Sequence, residues 1–206
     1  MDTSFILIIL ILIMSVVIHE VSHGYSAYLL GDSTAKNAGR LTLNPLAHLD
    51  FMGSIIIPFL AFISTGFVFG WAKPVPYNPY NLKNQRWGDA IVAIAGPASN
   101  FAVALIFGLI IRFSAYMGIS SLLFLEAAQL VVLINLVLMI FNLVPIPPLD
   151  GSKILFSVIP YRYIKIREVI ERYSFILLIF LIFFLWKLIL PIIFVLFSIL
   201  TGIGIY

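Results

Sequence analysis

The sequence predicts an all-α membrane protein that crosses the bilayer several times, and its composition, its apolar run lengths and its charge placement support this prediction. The 206 residues are 62% hydrophobic and 10% charged, and their mean hydropathy is +1.13, far above the range of soluble globular domains. A chain of this length that crosses the membrane repeatedly leaves no room for a second soluble domain of ~100 residues. We therefore expect one membrane domain over residues 1–206.

Four apolar runs are long enough to span the hydrocarbon core, which takes about 20 mostly apolar residues. They cover residues 4–30, 88–113, 122–145 and 174–200. The last run contains Lys187 and Pro191, and proline removes a backbone donor and kinks a helix. We predict one bent span for this run, with two shorter pieces as the alternative.

A fifth apolar run, residues 53–70, is shorter and is interrupted by Pro58 and by polar residues. If it spans, the two heaviest clusters of Lys and Arg lie outside the cell. If it dips into the membrane and returns, the connecting Lys and Arg residues all face the cytoplasm except Arg112, as the positive-inside rule favours. We therefore predict a re-entrant segment, whose backbone must be shielded by protein or water. A short strand-like loop is expected after it, over the proline-rich residues 71–84.

Charge and cysteine content exclude several functions and ligands. The net charge of +3 and the lack of a Lys/Arg run argue against nucleic-acid binding. Without cysteine the chain has neither disulfides nor thiolate ligands, so a bound metal must be held by His, Asp or Glu. The first apolar run has no preceding Lys or Arg and no small-residue cleavage site after it, so we expect it to be retained.

That first run contains the pattern His19-Glu20-Val21-Ser22-His23. On a helix, a spacing of four residues places both imidazoles on one face, where they can hold one zinc ion, while Glu20 lies beside them to take a proton from zinc-bound water. The pKa of such water is near 7, so hydroxide forms at neutral pH. Ionisable groups within a spanning helix are unfavourable and are usually functional. The alternative is a cluster of His and Glu at a helix end in the membrane interface.

Two histidines leave a third ligand to find, and the acidic residues narrow the choice. Five of them lie in or beside polar loops and are expected to be solvated: Asp2, Asp32, Asp89, Glu168 and Glu171. Glu126 lies near a helix start, where an acid suits the helix dipole. Asp50 and Asp150 remain. Asp150 is the better candidate, because three prolines in the run Asn142–Gly151 break the helix and can turn its carboxylate back toward the bilayer interior.

Three separated motifs resemble the site-2 protease family of intramembrane zinc metalloproteases. They are His19-Glu20-x-x-His23, Gly96-Pro97-Ala98-Ser99-Asn100, and the run from Asn142 to Gly151, which is similar to the family's N-x-x-P-x-P-x-x-D-G signature. The resemblance covers about residues 1–160, which would form the catalytic core, and it is to the short prokaryotic type without an accessory soluble domain. It implies that His19, His23 and Asp150 bind one zinc ion per chain. It further implies that Glu20 is the general base and that Asn142 holds the substrate or polarises its carbonyl.

The positions of these ligands bear on the membrane topology. His19 and His23 lie toward the C-terminal end of their helix, and Asp150 follows the C-terminal end of its own. The three can meet at one depth if the two helices run in the same direction, which requires an odd number of crossings between them. Residues 88–113 supply one crossing, so residues 53–70 cannot supply another. We expect the site to lie nearer the cytoplasmic face of a prokaryotic cell membrane.

Several other residues have a structural interpretation beside the functional one. Asn142 has two interpretations: a role in catalysis, or simple capping of the broken helix end. Gly96 and Pro97 are interpreted as a kink that lets helices pack closely, and Asn100 as an interhelical hydrogen-bonding group. His48 is more typical of a structural loop histidine than of an auxiliary ligand.

The sequence therefore predicts an endopeptidase that cuts membrane-protein substrates within or near their transmembrane segments. The extended residues 70–76 are a hypothetical edge to which an unwound substrate pairs. The competing class is a membrane metal-binding or divalent-cation transport protein with the same ligands. A transporter needs ligands at several depths along a path, whereas this sequence offers one cluster with a neighbouring base. The sequence names neither the substrate nor the oligomeric state.

Overall fold

The computed structural model describes residues 3–50, 52, 56, 73–160, 163–181 and 186–204. Over these residues the regular structure is helical. The helices are α1 (Thr3–Leu29), α2 (Thr34–Asn37), α3 (Gly88–Arg112), α4 (Leu122–Leu143), α5 (Asp150–Val158), α6 (Ile164–Arg172), α7 (Ser174–Phe180) and α8 (Trp186–Thr201). Short 3-10 turns at Pro45–His48 and Pro79–Asn81 lie in the connections. The all-α prediction is confirmed.

Three helices are long and apolar enough to cross a membrane: Ile6–Leu29, Gly88–Arg112 and Leu122–Leu143. They correspond to the first three predicted spans. The fourth predicted span contains α7 and α8, and because residues 182–185 lie outside the described residues, its continuity stays a prediction. The predicted re-entrant segment, residues 53–70, also lies outside the described residues except for Ile56.

Helix α3 lies at the centre of the bundle because small residues let its neighbours approach. Its buried face carries Ala93, Gly96, Asn100, Ala104 and Gly108. Their spacing of three or four residues places them on one side of the helix, and α1, α4 and α8 pack against α3. A side-chain carbon added at Gly108 would lie 2.8 Å from Cβ of Leu200 in α8. Close approach through small residues is a common basis of helix association in lipid.

Apolar side chains lie both between the helices, where protein buries them, and on the outer surface of the bundle, where they are exposed. Val132 and Leu136 of α4 and Ile193 of α8 are fully buried in one cluster. On the outside, Leu10 and Ile106 are each 56% exposed although they lie on spanning helices. Such side chains are solvated by lipid in a membrane, so a wholly apolar exterior is the expected surface for these spans.

The connections at one end of the bundle are organised around Asp32. Its carboxylate accepts hydrogen bonds from the amide and hydroxyl of Thr34, at 3.2 and 2.6 Å, from the amide of Asn78 at 2.8 Å and from Nδ2 of Asn81 at 2.9 Å. Burial alone would raise the pKa of Asp32, but these donors outweigh burial and lower it. The expectation that Asp32 is solvated is wrong, because the loop around Asn78 folds back over it and leaves it 0% exposed.

Candidate metal centre

His19 and His23 face the central helix from successive turns of α1. Both are buried, at 6% and 7% exposure, and their Nε2 atoms lie 3.0 Å apart. A side-chain carbon at Gly96 of α3 would lie 2.6 Å from Nε2 of His19 and would also strike His23. The glycine therefore makes room for the two imidazoles, which is consistent with the interpretation of Gly96 as a close-packing residue.

Asp150 reaches the histidines from the first turn of α5. Its Oδ2 atom lies 3.1 Å from Nε2 of His19 and 3.1 Å from Nε2 of His23. The chain turns sharply between α4 and α5: a side-chain carbon at Gly151 would lie 2.5 Å from the carbonyl oxygen of Val144. A residue with a side chain would therefore hold the start of α5 away from the end of α4.

The structure thus brings together His19, His23 and Asp150, with their ligand atoms within 4.8 Å of one another. Among the described residues, Asp50 is not part of this group.

The hydrogen bonds behind the imidazoles test whether the group fits a cation. Nδ1 of His23 lies 2.7 Å from the carbonyl oxygen of Val92, and Nδ1 of His19 lies 2.5 Å from Oδ1 of Asn100. These oxygens only accept, so each Nδ1 carries a proton, and the neutral form of each ring presents the lone pair of Nε2. In that form two lone pairs and a carboxylate oxygen at 3.0–3.1 Å repel one another unless a cation lies between them. Two His and one carboxylate are a zinc ligand set that leaves a fourth position open for catalysis.

Glu20 is bound by the loop of residues 73–78, which forms no regular secondary structure. Its Oε2 atom accepts a 2.8 Å hydrogen bond from the backbone amide of Val75, which is 5% exposed. Gly24, one turn beyond Glu20, permits this approach: a side-chain carbon there would lie 2.6 Å from Cγ1 of Val75. One carboxylate oxygen of Glu20 is therefore anchored by the backbone of this segment.

The backbone bonds of residues 73–76 bear on the hypothesis of a substrate-pairing edge. The amide of Lys73 donates to the carbonyl of His48 at 2.9 Å, and its carbonyl accepts from Nη2 of Arg40 at 2.7 Å. With the Val75 amide bonded to Glu20, one side of this stretch is occupied. The other side offers no amide donor, because Pro74 and Pro76 have none. Residues 70–72 of the hypothetical edge lie outside the described residues, so the pairing of a substrate with this segment stays a prediction.

Two other residues singled out in the sequence, Asn142 and His48, form hydrogen bonds with backbone carbonyls. Asn142 is near the end of α4, and its Nδ2 atom donates to the carbonyl of Leu138 at 2.9 Å. His48 is 2% exposed and its Nε2 atom lies 2.9 Å from the carbonyl of Thr42, which fits a structural loop histidine. His48 is not among the described residues that form the metal-type group.

Sequence reasoning missed two residues near the site. Lys153 lies one turn after Asp150, with Nζ 3.8 Å from Oδ1 of Asp150 and 5.1 Å from the ring centroid of Tyr77. Asn135, in the middle of α4, is 0% exposed and bonds to Asn100 at 2.8 Å. The signal for Asn135 was present, because an amide in the middle of a spanning helix is unfavourable unless it has a partner.

Spanning helices around two histidines, a carboxylate and an adjacent glutamate define a class of protein: the membrane-embedded zinc metalloproteases. Comparison with known proteins gives the family. The model of Peptidase family M50 matches residues 114–185. The chain belongs to this family, the site-2 proteases.

The relatives agree with this assignment. "Putative zinc metalloprotease YwhC" of Bacillus subtilis is 40% identical over 187 residues, which cover 88% of this chain and 81% of the relative. Two proteins named "Putative zinc metalloprotease Rip2", from Mycolicibacterium smegmatis and Mycobacterium tuberculosis, are 34% and 31% identical over 154 and 147 residues. Each match covers 71% of this chain and 55% of the Rip2 protein. No solved structure matches the chain.

Proposed function

We propose that this chain is a zinc-dependent endopeptidase that cleaves membrane-protein substrates within or near their transmembrane segments. In this proposal His19, His23 and Asp150 hold one zinc ion, and the site lies nearer the cytoplasmic face of a prokaryotic membrane. The observation that carries the proposal is the convergence of these three ligand atoms within 4.8 Å, next to the carboxylate of Glu20. Membership of a zinc metalloprotease family supports the same chemistry.

In the proposed reaction, Glu20 and Asn142 act on the water and the substrate beside the bound zinc. Bound zinc supplies a Lewis acid that polarises the scissile carbonyl and acidifies the attacking water. Glu20, with one oxygen anchored by the Val75 amide, uses its other oxygen to take the proton from the water and passes it to the leaving amine. The Nδ2 atom of Asn142 donates one hydrogen to Leu138, and its second hydrogen is the one proposed to polarise the substrate carbonyl.

The test compares wild type with Glu20→Gln on a panel of membrane-anchored reporters, with bound zinc measured on the same preparations. We expect Glu20→Gln to reduce cleavage by ~10²–10⁴-fold, the usual contribution of a general base, and to retain zinc. Asn142→Leu serves as the comparison for substrate binding and should retain zinc as well. Cleavage that survives Glu20→Gln would show that Glu20 is not the base.

The transport alternative is not supported. A transport path needs donor groups at successive depths, and the described part of the chain offers a single group of converging His and Asp ligands. Each named relative above is also a metalloprotease by name rather than a transporter.

A further inference from the structure

A chain of buried hydrogen bonds runs from the middle of α4, through α3, to His19. Asn100 and Asn135 are both 0% exposed and Ser15 is 3% exposed. Nδ2 of Asn135 donates to Oγ of Ser15 at 2.9 Å and to the carbonyl of Val131 at 2.9 Å. Three spanning helices therefore meet through polar groups in a place where unpaired polar groups are strongly unfavourable.

The donor and acceptor roles in this series of hydrogen bonds are fixed at the end farthest from His19, where Asn135 contacts a backbone carbonyl. The carbonyl of Val131 can only accept, so the nitrogen of the Asn135 amide must face it and the oxygen must face Asn100. Oδ1 of Asn135 then accepts from Nδ2 of Asn100 at 2.8 Å, and the second hydrogen of that nitrogen points to the Ser15 carbonyl at 3.3 Å. The amide oxygen of Asn100 is thereby left for His19, 2.5 Å from Nδ1.

We propose that Asn135 is a positioning residue for the metal site: acting through Asn100, it fixes which nitrogen of His19 carries the proton and so keeps the lone pair of Nε2 toward the ligand group. Without Asn135, only the longer 3.3 Å bond to the Ser15 carbonyl holds the Asn100 amide, so the amide can rotate and present its nitrogen to His19. His19 then accepts at Nδ1 and carries its proton on Nε2, where it blocks metal binding. His23 is not subject to this change, because a backbone carbonyl holds its Nδ1.

This inference rests on the proposed zinc site and makes a specific prediction for paired variants. Asn135→Leu removes the anchor while keeping a similar volume, and Asn100→Asp replaces the amide with a carboxylate that accepts from His19 in either rotamer. Asn135→Leu should therefore weaken zinc binding by ~10–100-fold, the usual range for outer-shell partners of a ligating histidine. In the Asn100→Asp background the same substitution should cause no loss. Leu136→Ala is the control, because Leu136 is a fully buried neighbour that contributes no polar group.

The experiment measures zinc affinity of the purified full-length variants by competition with a chelator, together with the ring ¹⁵N chemical shifts of histidine in the metal-free protein. Asn135→Leu should move the His19 proton from Nδ1 toward Nε2, and Leu136→Ala should lower thermal stability without changing affinity or shifts. Equal zinc affinity in wild type and Asn135→Leu, or equal weakening in both backgrounds, would overturn the inference. A wild-type protein that binds no zinc would instead overturn the proposed function.

Discussion

Asp150 and Asp32 are both buried carboxylates, yet their surroundings give them different roles. Asp150 is 8% exposed and Asp32 is 0% exposed, and hydrogen-bond donors lower the pKa of Asp32 below its ordinary value. The partners of Asp32 are amide and hydroxyl donors that point at the carboxylate alone. The partners of Asp150 are two imidazole Nε2 atoms that also lie 3.0 Å from each other.

This difference shows that burial of a carboxylate does not identify a metal ligand. Each hydrogen bond to Asp32 already joins a donor to an acceptor, so nothing further is needed for its stability. At Asp150, acceptors face acceptors when both imidazoles are neutral with their proton on Nδ1, and a cation between them removes this repulsion. The direction of the surrounding hydrogen bonds therefore separates a structural carboxylate from a candidate ligand.

The largest expected effect is a loss of zinc affinity when Asp150 is replaced, with no loss when Asp32 is replaced. Asp150→Ala should weaken zinc binding by more than the ~100-fold that outer-shell changes produce, because it removes a ligand. Asp32→Ala should leave the affinity unchanged. Chelator competition on the purified proteins measures both. Retention of zinc in Asp150→Ala together with its loss in Asp50→Ala would identify Asp50 as the third ligand.

The second effect concerns the free energy of unfolding, for which Asp32 matters although it does not matter for zinc affinity. Asp32→Ala removes a buried carboxylate that accepts hydrogen bonds from Thr34, Asn78 and Asn81. Because hydrogen bonds to a charged group contribute more than neutral ones, we expect a loss of ~2 kcal/mol in the free energy of unfolding. The control is Glu171→Ala, whose 2.8 Å ion pair with Arg167 is exposed and should contribute less than ~1 kcal/mol. Denaturant unfolding in detergent compares the two, and equal losses would contradict a structural role for Asp32.

A smaller effect is expected from filling the space that Gly96 leaves for the imidazoles of His19 and His23. Gly96→Ala places a carbon 2.6 Å from Nε2 of His19, so the ligands must move and zinc affinity should fall by about tenfold, as for other displaced ligands. Gly108→Ala is the matched control, because the same change in the same helix crowds Leu200 instead. It should destabilise the protein without altering zinc affinity. A similar loss of affinity in both variants would point to general distortion of α3.

On the other side of the site, Gly24→Ala tests the anchoring of the base. The added carbon would lie 2.6 Å from Cγ1 of Val75 and 2.7 Å from Cδ2 of Leu41, so we expect Val75 to move and its hydrogen bond to Glu20 to lengthen. We expect reporter cleavage to fall by several-fold to about tenfold, as catalytic groups are displaced, with zinc content unchanged. Cleavage at the wild-type rate would show that the Val75 amide does not position Glu20.

The smallest effect is a pH dependence at Asp32. Its lowered pKa means that the ionised form stabilises the folded state. That stability is fully present above the unfolded pKa of ~3.9 and is lost as the pH falls through the lower folded value. Asp32→Asn should therefore lose less stability than wild type when metal-free protein is acidified below about pH 4. Parallel acid unfolding curves for the two proteins would contradict this.

Much of the fold was predictable because it depends on local patterns. Apolar run length alone placed three spanning helices, and their bounds differ from the predicted runs by only a few residues. The last apolar run is harder, since Pro191 lies within helix α8 and the continuity of the run depends on residues 182–185, which lie outside the described residues. The expectation that Asp32 is solvated failed because its position in a polar loop gave no sign of the segment that folds over it from Asn78.

The sequence by itself determined the spans and the two imidazoles on one helix face, because both depend on the period of a single helix. Only the tertiary structure decided which carboxylate faces those imidazoles and which partners hold their outer nitrogens. Asp150 is 131 residues from His19, and Asn135 is 120 residues from Ser15. Contacts at such separations follow from how the helices pack around the small residues of α3, and helical periodicity carries no information about them.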